Sequence, residues 1–222
     1  MWSETTDVGP CNGFLERPAL RALVPRPLTG ATILDAGCGS GAQCEWLLDQ
    51  GAQVIGIDLR PAMVEQTDHR CRGRGRFFVA DLAEQLPLPP SSLDGVICSL
   101  ALHYLEDWSV ALRSFADVLV PRGWVVVSLD HPFWPPLPDQ QGGYFDTELV
   151  SDTWSKGGVE VTQRFWRRPL SATLDSFGDA GFVVERVVEP QPPVDALARF
   201  PVELARVAGV PWFLVYRLRL AS

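Results

Sequence analysis

Between Ala31 and Leu129, short apolar runs alternate with helical stretches, separated by the kind of turns that a parallel sheet needs. Ala31–Asp35 is an apolar run that ends in three closely spaced glycines, Gly37, Gly39 and Gly41. Ala42–Gln50 then reads as a helix with Cys44, Leu47 and Leu48 on its inner stripe. Gln53–Ile57 reads as a second strand ending at Asp58, and Pro61 suits the first turn of a helix to about Arg70. Arg76–Ala80, Leu93–Ser99 and Gly123–Leu129 follow as further strands; the unbroken Val125-Val126-Val127 suggests burial on both faces. Trp108–Val120 carries Trp108, Ala111, Leu112, Phe115, Val118 and Leu119 at helical spacing. Leu170–Ala180 is a further helix, and Phe182–Val188 and Trp212–Leu220 are further strands. The pattern predicts an α/β fold in which helices cover both faces of one sheet.

The 222 residues suit one domain, 1–222, with a full core. A net charge of -8 argues against a nucleic-acid partner, which usually meets a basic face. No stretch reaches the roughly 20 apolar residues of a membrane span, and the opening residues carry Glu4 and Asp7 where a secretory signal would be apolar. The five cysteines include no C-x-x-C pair and read as free thiols. The expectation is a cytoplasmic protein without a membrane partner, monomeric or homodimeric.

The chemistry concentrates where strands end. In Asp35-Ala36-Gly37-Cys38-Gly39-Ser40-Gly41 the glycines let the backbone pass close to a ligand, and Asp58 can accept two hydrogen bonds from a ribose diol. The loop also satisfies G-x-G-x-x-A, so a dinucleotide is one reading. Asp35, two residues before the first glycine, would repel a pyrophosphate. With Asp81 at the end of the third strand it suits a ligand that has an amine, a ribose and an adenine.

These residues resemble the class I S-adenosylmethionine-dependent methyltransferases of the small-molecule type. The resemblance is carried by Ile33–Gly41, by Val54–Asp58 with Met63, by Ala80-Asp81-Leu82 with Leu86-Pro87, and by Leu93–Ser99 leading into Leu102-His103-Tyr104. Leu119-Pro121-Gly123-Trp124 and Ala180-Gly181-Phe182 extend it. It implies a Rossmann-like doubly wound sheet, mostly parallel with an antiparallel last strand, and S-adenosyl-L-methionine as cofactor. Gly37, Cys38, Gly39 and Gly41 would then lie under the methionine part and ribose, with Asp35 serving the amino group. Asp58, with Leu59 after it, would hold the ribose. Asp81 and the Leu82 backbone would address the adenine, and Ser99 and Leu100 would flank the sulfonium. Many relatives have Ser where Arg60 stands, two residues after Asp58. Residues 1–29 would cap the cofactor and substrate, and 130–168 would form an inserted substrate lid.

If the acceptor must lose a proton, His131 is the first candidate base, in Asp130-His131-Pro132-Phe133 at the carboxyl edge of the fifth strand. His103, beside Tyr104, is the second. Phe133, Trp134, Trp154 and Trp166 would line a mostly apolar pocket for a hydrophobic or aromatic metabolite, with oxygen the favoured acceptor and bacterial secondary metabolism the expected setting. Arg164, Arg167 and Arg168 read as a solvated face, with recognition of an anionic substrate as the alternative. No metal site is expected. Two other activities compete: a non-methylating step such as cyclisation on the same cofactor site, and a nicotinamide-dependent reductase.

Overall fold

The computed structural model describes residues 9–133, 140–156, 159–205 and 207–221, the side chains of 154–156 and 159 excepted. Strands β1 (Thr32–Ala36), β2 (Gln53–Asp58), β3 (Arg76–Val79), β4 (Leu93–Ser99) and β5 (Leu119–Asp130) pair in parallel. Two further strands complete a seven-stranded sheet, β8 (Phe182–Val188) and β9 (Phe213–Leu220), in the order β3-β2-β1-β4-β5-β9-β8. β9 is antiparallel to both of its neighbours, so the expected doubly wound sheet with an antiparallel last strand is present. The strand order reverses between β1 and β4, which opens a crevice at the carboxyl ends of those strands.

The central strands are buried on both faces, with successive side chains pointing to opposite sides. Ile33, Val54, Ile97, Val126 and Val215 face one way and pack with Leu47 of α2 (Ala42–Asp49) and with Leu20 and Leu23 of α1 (Arg17–Leu23). On the other face, Leu34, Val96, Val125 and Val127 meet Leu112 and Phe115 of α4 (Ser109–Val118) and Phe177 of α5 (Leu170–Asp179). The helix α3 (Pro61–Cys71) begins with Pro61 in its first turn, where its missing N–H costs nothing. The turn that leads into α4 is braced by Asp107, whose carboxylate accepts from the Ser109 N–H and hydroxyl, both at 2.8 Å.

The sequence reading falls short in three places. The segment 130–168, expected as an irregular lid, contains a two-stranded hairpin of β6 (Glu148–Lys156) and β7 (Val159–Arg167). Val150 and Phe165 stand opposite each other in it, and both are buried against the body of the protein. Polar residues such as Ser151, Thr162 and Arg164 alternate with the apolar ones, a period of two outweighed by the surrounding prolines and glycines. Two short helices, α6 (Val194–Arg199) and α7 (Pro201–Ala205), lie where no element was expected, and they pack Ala196 and Leu204 against Leu15. The short apolar helix that the sequence suggests around Glu16–Val24 also starts earlier, with a π-helical turn at Asn12–Glu16.

Leu20 is fully buried between α1 and the sheet, so Leu20→Ala is expected to cost about 2–5 kcal/mol in urea unfolding. A loss below about 0.5 kcal/mol, the size of an ordinary surface change, would show that α1 does not dock on the sheet.

Candidate active site

The loop after β1 is held by backbone bonds and by two close approaches that exclude a side chain. The N–H groups of Gly37 and Cys38 both donate to the Ile57 carbonyl, at 2.9 and 2.8 Å. Gly37 has φ +78°, and a Cβ there would stand 2.5 Å from the Ala101 Cβ. Gly41, with φ +82°, would meet Thr67 at about 3 Å. α3 clamps the loop from one side: the Thr67 hydroxyl donates to the Gly39 carbonyl at 2.8 Å, and Arg70 Nη1 donates to the Ser40 carbonyl at 3.2 Å. From the other side, Arg21 of α1 donates to the Ala42 carbonyl and to Gln43 Oε1.

Acidic groups surround this loop. Asp58 accepts from the Gly39 N–H at 3.0 Å and from the Arg60 N–H at 2.9 Å. A carboxylate has about four acceptor positions, so roughly two remain for a ligand. Asp35 is 1% exposed and lies behind the loop. Its Oδ2 accepts from the Cys44 thiol at 3.0 Å, while Oδ1 has no hydrogen-bond partner among the described residues. Burial, with the Asp58 charge adding to it, raises its pKa to about 6. A dry carboxylate oxygen without a donor invites a cation or an N–H.

A third acid was not anticipated. Glu16, 1% exposed, accepts from the Ser99 hydroxyl at 2.9 Å and from the Ser128 hydroxyl at 2.5 Å. Burial raises its pKa, and the two serine bonds oppose that rise. It thereby ties the segment before α1 to the ends of β4 and β5. The signal was present: Glu16, Leu20 and Leu23 share one face at helical spacing, and a carboxylate on an apolar face needs a reason. Beyond Ser99, Leu100 adopts φ +49°, unusual for a branched side chain, and its N–H donates to the Ser128 hydroxyl and carbonyl. A strained residue at a strand end is a common mark of a working site.

Asp81 is half-buried and accepts from the Ala83 N–H at 2.8 Å, with Leu82 half-buried beside it. Leu59 is 61% exposed at the outer rim. Cys38 turns its thiol inward, 3.6 Å from the Thr67 hydroxyl, and both its backbone groups bond within the loop or to Ile57.

The opposite wall comes from the chain after β4 and β5. His103, in a 3₁₀ turn at Leu102–Tyr104, is buried, and Tyr104 meets it edge-on with ring centres 4.6 Å apart. His103 Nδ1 lies 3.4 Å from Asp130 Oδ2 without making a hydrogen bond. Desolvation lowers the His103 pKa to about 3 and raises that of Asp130 to about 7, with Asp152 and Glu16 adding to the latter. Asp130 is therefore poised to exchange a proton near neutrality, and His103 is a neutral imidazole.

His131, the first candidate base from sequence, has both ring nitrogens engaged. Nε2 lies 2.9 Å from Glu189 Oε1, and Nδ1 accepts from the Phe133 N–H at 3.1 Å. That geometry braces the loop. Phe133, 60% exposed, stacks between His131 and Tyr144. Trp166 lines the cleft under the hairpin with His103 and Asp130. Trp134 lies outside the described residues, as does the side chain of Trp154.

The solvated arginine face needs correction. Arg164 is exposed, but Arg167 and Arg168 are buried. Arg167 donates to the carbonyls of Tyr144 and Gly143, and Arg168 to those of Leu105 and Glu106, while the Arg168 guanidinium lies 3.9 Å from the centre of the Trp108 ring. Burial became possible because carbonyls turned inward to meet the charge. Among the described residues, no group of three or more His, Cys, Asp or Glu residues could hold a metal, and no helix is long and apolar enough to cross a membrane.

Comparison with known proteins agrees with this geometry. The family described as "Methyltransferase domain" matches residues 34–127. An uncharacterized protein of Haemophilus influenzae is 34% identical over 197 residues, covering 81% of this chain and 77% of that protein. A ubiquinone biosynthesis O-methyltransferase of Xylella fastidiosa is 33% identical over 113 residues, but the match spans only 46% of this chain and 43% of that enzyme. Among solved structures, an S-adenosylmethionine-dependent methyltransferase from Mesorhizobium loti is 28% identical with a TM-score of 0.73, covering 92% of this chain and 97% of that one.

The Asp130 shift has a definite sign. Its folded pKa of about 7 lies above the ordinary 3.8, so its contribution to stability is full below about pH 4 and lost as pH rises through about 7. Asp130→Asn cannot titrate. The unfolding free energy of the wild type relative to this variant is expected to decline between about pH 4 and 7; parallel curves would show that Asp130 is solvated.

Proposed function

Because this chain belongs to the class I S-adenosylmethionine-dependent methyltransferases, we propose that it moves the cofactor's methyl group to an oxygen of a small acceptor. The acceptor lies between the glycine loop and the β6–β7 hairpin. The observation that carries this reading is the convergence of the Gly37–Gly41 loop, Asp35, Asp58 and the strained Ser99–Leu100 exit at one sheet edge. A cofactor with an ammonium, a sulfonium and a ribose fits that donor set. Asp35 Oδ1 lacks a donor, Asp58 keeps acceptor positions for two hydroxyls, and three acids suit a cationic ligand. Asp81 with Leu82 and Leu59 would hold the adenosine end, and Ser99 and Leu100 would flank the sulfur. A pyrophosphate would meet those same acids as like charges, which disfavours a nicotinamide cofactor.

The bound cofactor supplies a methyl group on a sulfonium leaving group. The protein supplies alignment and exclusion of water, worth on the order of 7–11 kcal/mol of barrier at best. The clamps from α1 and α3 hold the glycine loop in place before the ligand arrives. Asp130 would take the proton that a hydroxyl acceptor gives up on methylation, and the bound cofactor would supply the methyl group together with its sulfur leaving group. Asp130 takes this role in place of His131 because its pKa matches the working pH and no described residue hydrogen-bonds its Oδ2. Neutral His103 positions the carboxylate and Tyr104 flanks it. The O-methyltransferase relatives favour oxygen over nitrogen or carbon. Residues 1–222 act as one domain, with the N-terminal segment as cap and the hairpin as lid; the five free thiols suit the cytoplasm.

Two measurements test this reading. Asp58→Ala is expected to weaken S-adenosylhomocysteine binding about 10- to 100-fold in calorimetry, the loss of hydrogen bonds to a charged group. Screened against small hydroxylated and carboxylated acceptors, the wild type is expected to produce S-adenosylhomocysteine. With a hydroxyl acceptor, kcat/KM rises through a single group near pH 7, and Asp130→Asn abolishes that rise. Unchanged affinity in Asp58→Ala would overturn the cofactor assignment, and an unchanged pH profile in Asp130→Asn would overturn the base.

A further inference from the structure

We propose that the cleft beneath the β6–β7 hairpin receives a carboxylate of the methyl acceptor, bound by the inner nitrogens of Arg167 and Arg168 and, deeper, by the Trp108 indole and Tyr216 hydroxyl. This rests on the methyl-transfer reading above. The four residues line one cleft, together with His103 and Asp130, and all four are buried. Arg167 Nε, Arg168 Nε, Trp108 Nε1 and Tyr216 Oη have no hydrogen-bond partner among the described residues. Buried polar atoms are paired in the great majority of cases, so four unpaired donors around one cleft mark a place where an acceptor group is missing.

Their charge selects the acceptor. The outer nitrogens of both guanidiniums are tied to backbone carbonyls, which fixes the planes and leaves each Nε facing a neighbour still to come. Glu148 stands 3.8 Å from Arg167 Nη2, but its carboxylate also accepts from the N–H groups of Gln141 and Gly142. Arg168 has carbonyls and the Trp108 ring around it, with Asp107 and Glu106 as longer-range charges. Burial lowers its pKa to about 10, which leaves it cationic at neutral pH. A desolvated guanidinium without a close anion is costly, and a planar carboxylate is its natural complement. The cleft is narrow and mostly apolar between these donors, which favours a flat carboxylate over a tetrahedral phosphate.

Asp130 lines the same cleft, and its side chain is more exposed than those of the four donor residues. The proposed anchor therefore sits deeper than the reacting oxygen, and an acceptor spans the two with an apolar body against Phe165 and Trp166. This refines the apolar pocket expected from sequence: aromatic walls with a cationic floor.

The test uses protein saturated with S-adenosylhomocysteine. Acetate, benzoate and succinate are titrated against acetamide, benzamide and succinamide, with inorganic phosphate as a further probe. At least one carboxylate is expected to bind at least tenfold tighter than its amide. Tyr216→Phe and Trp108→Phe each weaken that binding about fivefold, the loss of one hydrogen bond, without changing affinity for S-adenosylhomocysteine. Arg168→Gln abolishes the preference if it folds; Tyr216→Phe, which removes one oxygen, keeps the test open if it does not. Equal binding of acids and amides, variants that bind carboxylate as the wild type does, or binding of phosphate alone would overturn the proposal and leave the four donors to water. Failure to bind S-adenosylhomocysteine would instead overturn the methyl-transfer reading.

Discussion

The closeness of Gly37 to Ala101 sets the position of everything at the working edge of the sheet. With no Cβ between them, the loop after β1 can lie on the chain that leaves β4, and both strand ends face one crevice. Any side chain at Gly37 would push the loop outward, carrying with it the Gly39 N–H that Asp58 holds. The left-handed Leu100 is the other half of the same contact. It turns the chain so that Ser99 faces Glu16, and the two bonds from its N–H to Ser128 help hold that turn against its strain.

Electrostatics follow from this packing. Asp35, Glu16 and Asp130 are all pushed toward their protonated forms by burial, and the Glu16 charge adds to the burden of the other two. Without a ligand such a cluster opposes stability at neutral pH, because each group would ionise freely in the unfolded chain. A cationic ligand reverses the sign of that effect, so the same residues that weaken the empty fold strengthen the complex. An opposite arrangement lies under the hairpin, where two guanidiniums are buried and their Nε atoms have no hydrogen-bond partner among the described residues. On the proposed reading, acids would face the donor of the methyl group and cations would form the floor beneath the acceptor.

How much of this was legible in the sequence depended on the range of the contacts. The five parallel strands, the glycine loop and the acids Asp35, Asp58 and Asp81 are local signals, each fixed by a few adjacent residues, and they could be read directly. Glu16 could not be paired from sequence, because Ser99 and Ser128 lie 83 and 112 residues away. The burial of Arg167 and Arg168 depends on carbonyls supplied by Gly143, Tyr144, Leu105 and Glu106, none of which carries a sequence mark. His131 looked like a base because of its place after β5; its second partner, Glu189, arrives from beyond β8. The hairpin was hidden differently, since its alternation was visible but the prolines and glycines around it argued for a loop.

The most direct test of the account is a crystal structure with S-adenosylhomocysteine bound. It should place the ribose hydroxyls on Asp58, the amino group within hydrogen-bond reach of Asp35 Oδ1 or one water from it, and the sulfur beside Ser99 and Leu100. The glycine loop should be unmoved, because its clamps from α1 and α3 are already closed. A nucleoside bound elsewhere, or a loop that must rearrange to admit it, would contradict the claim that the Gly37 crossing builds the site.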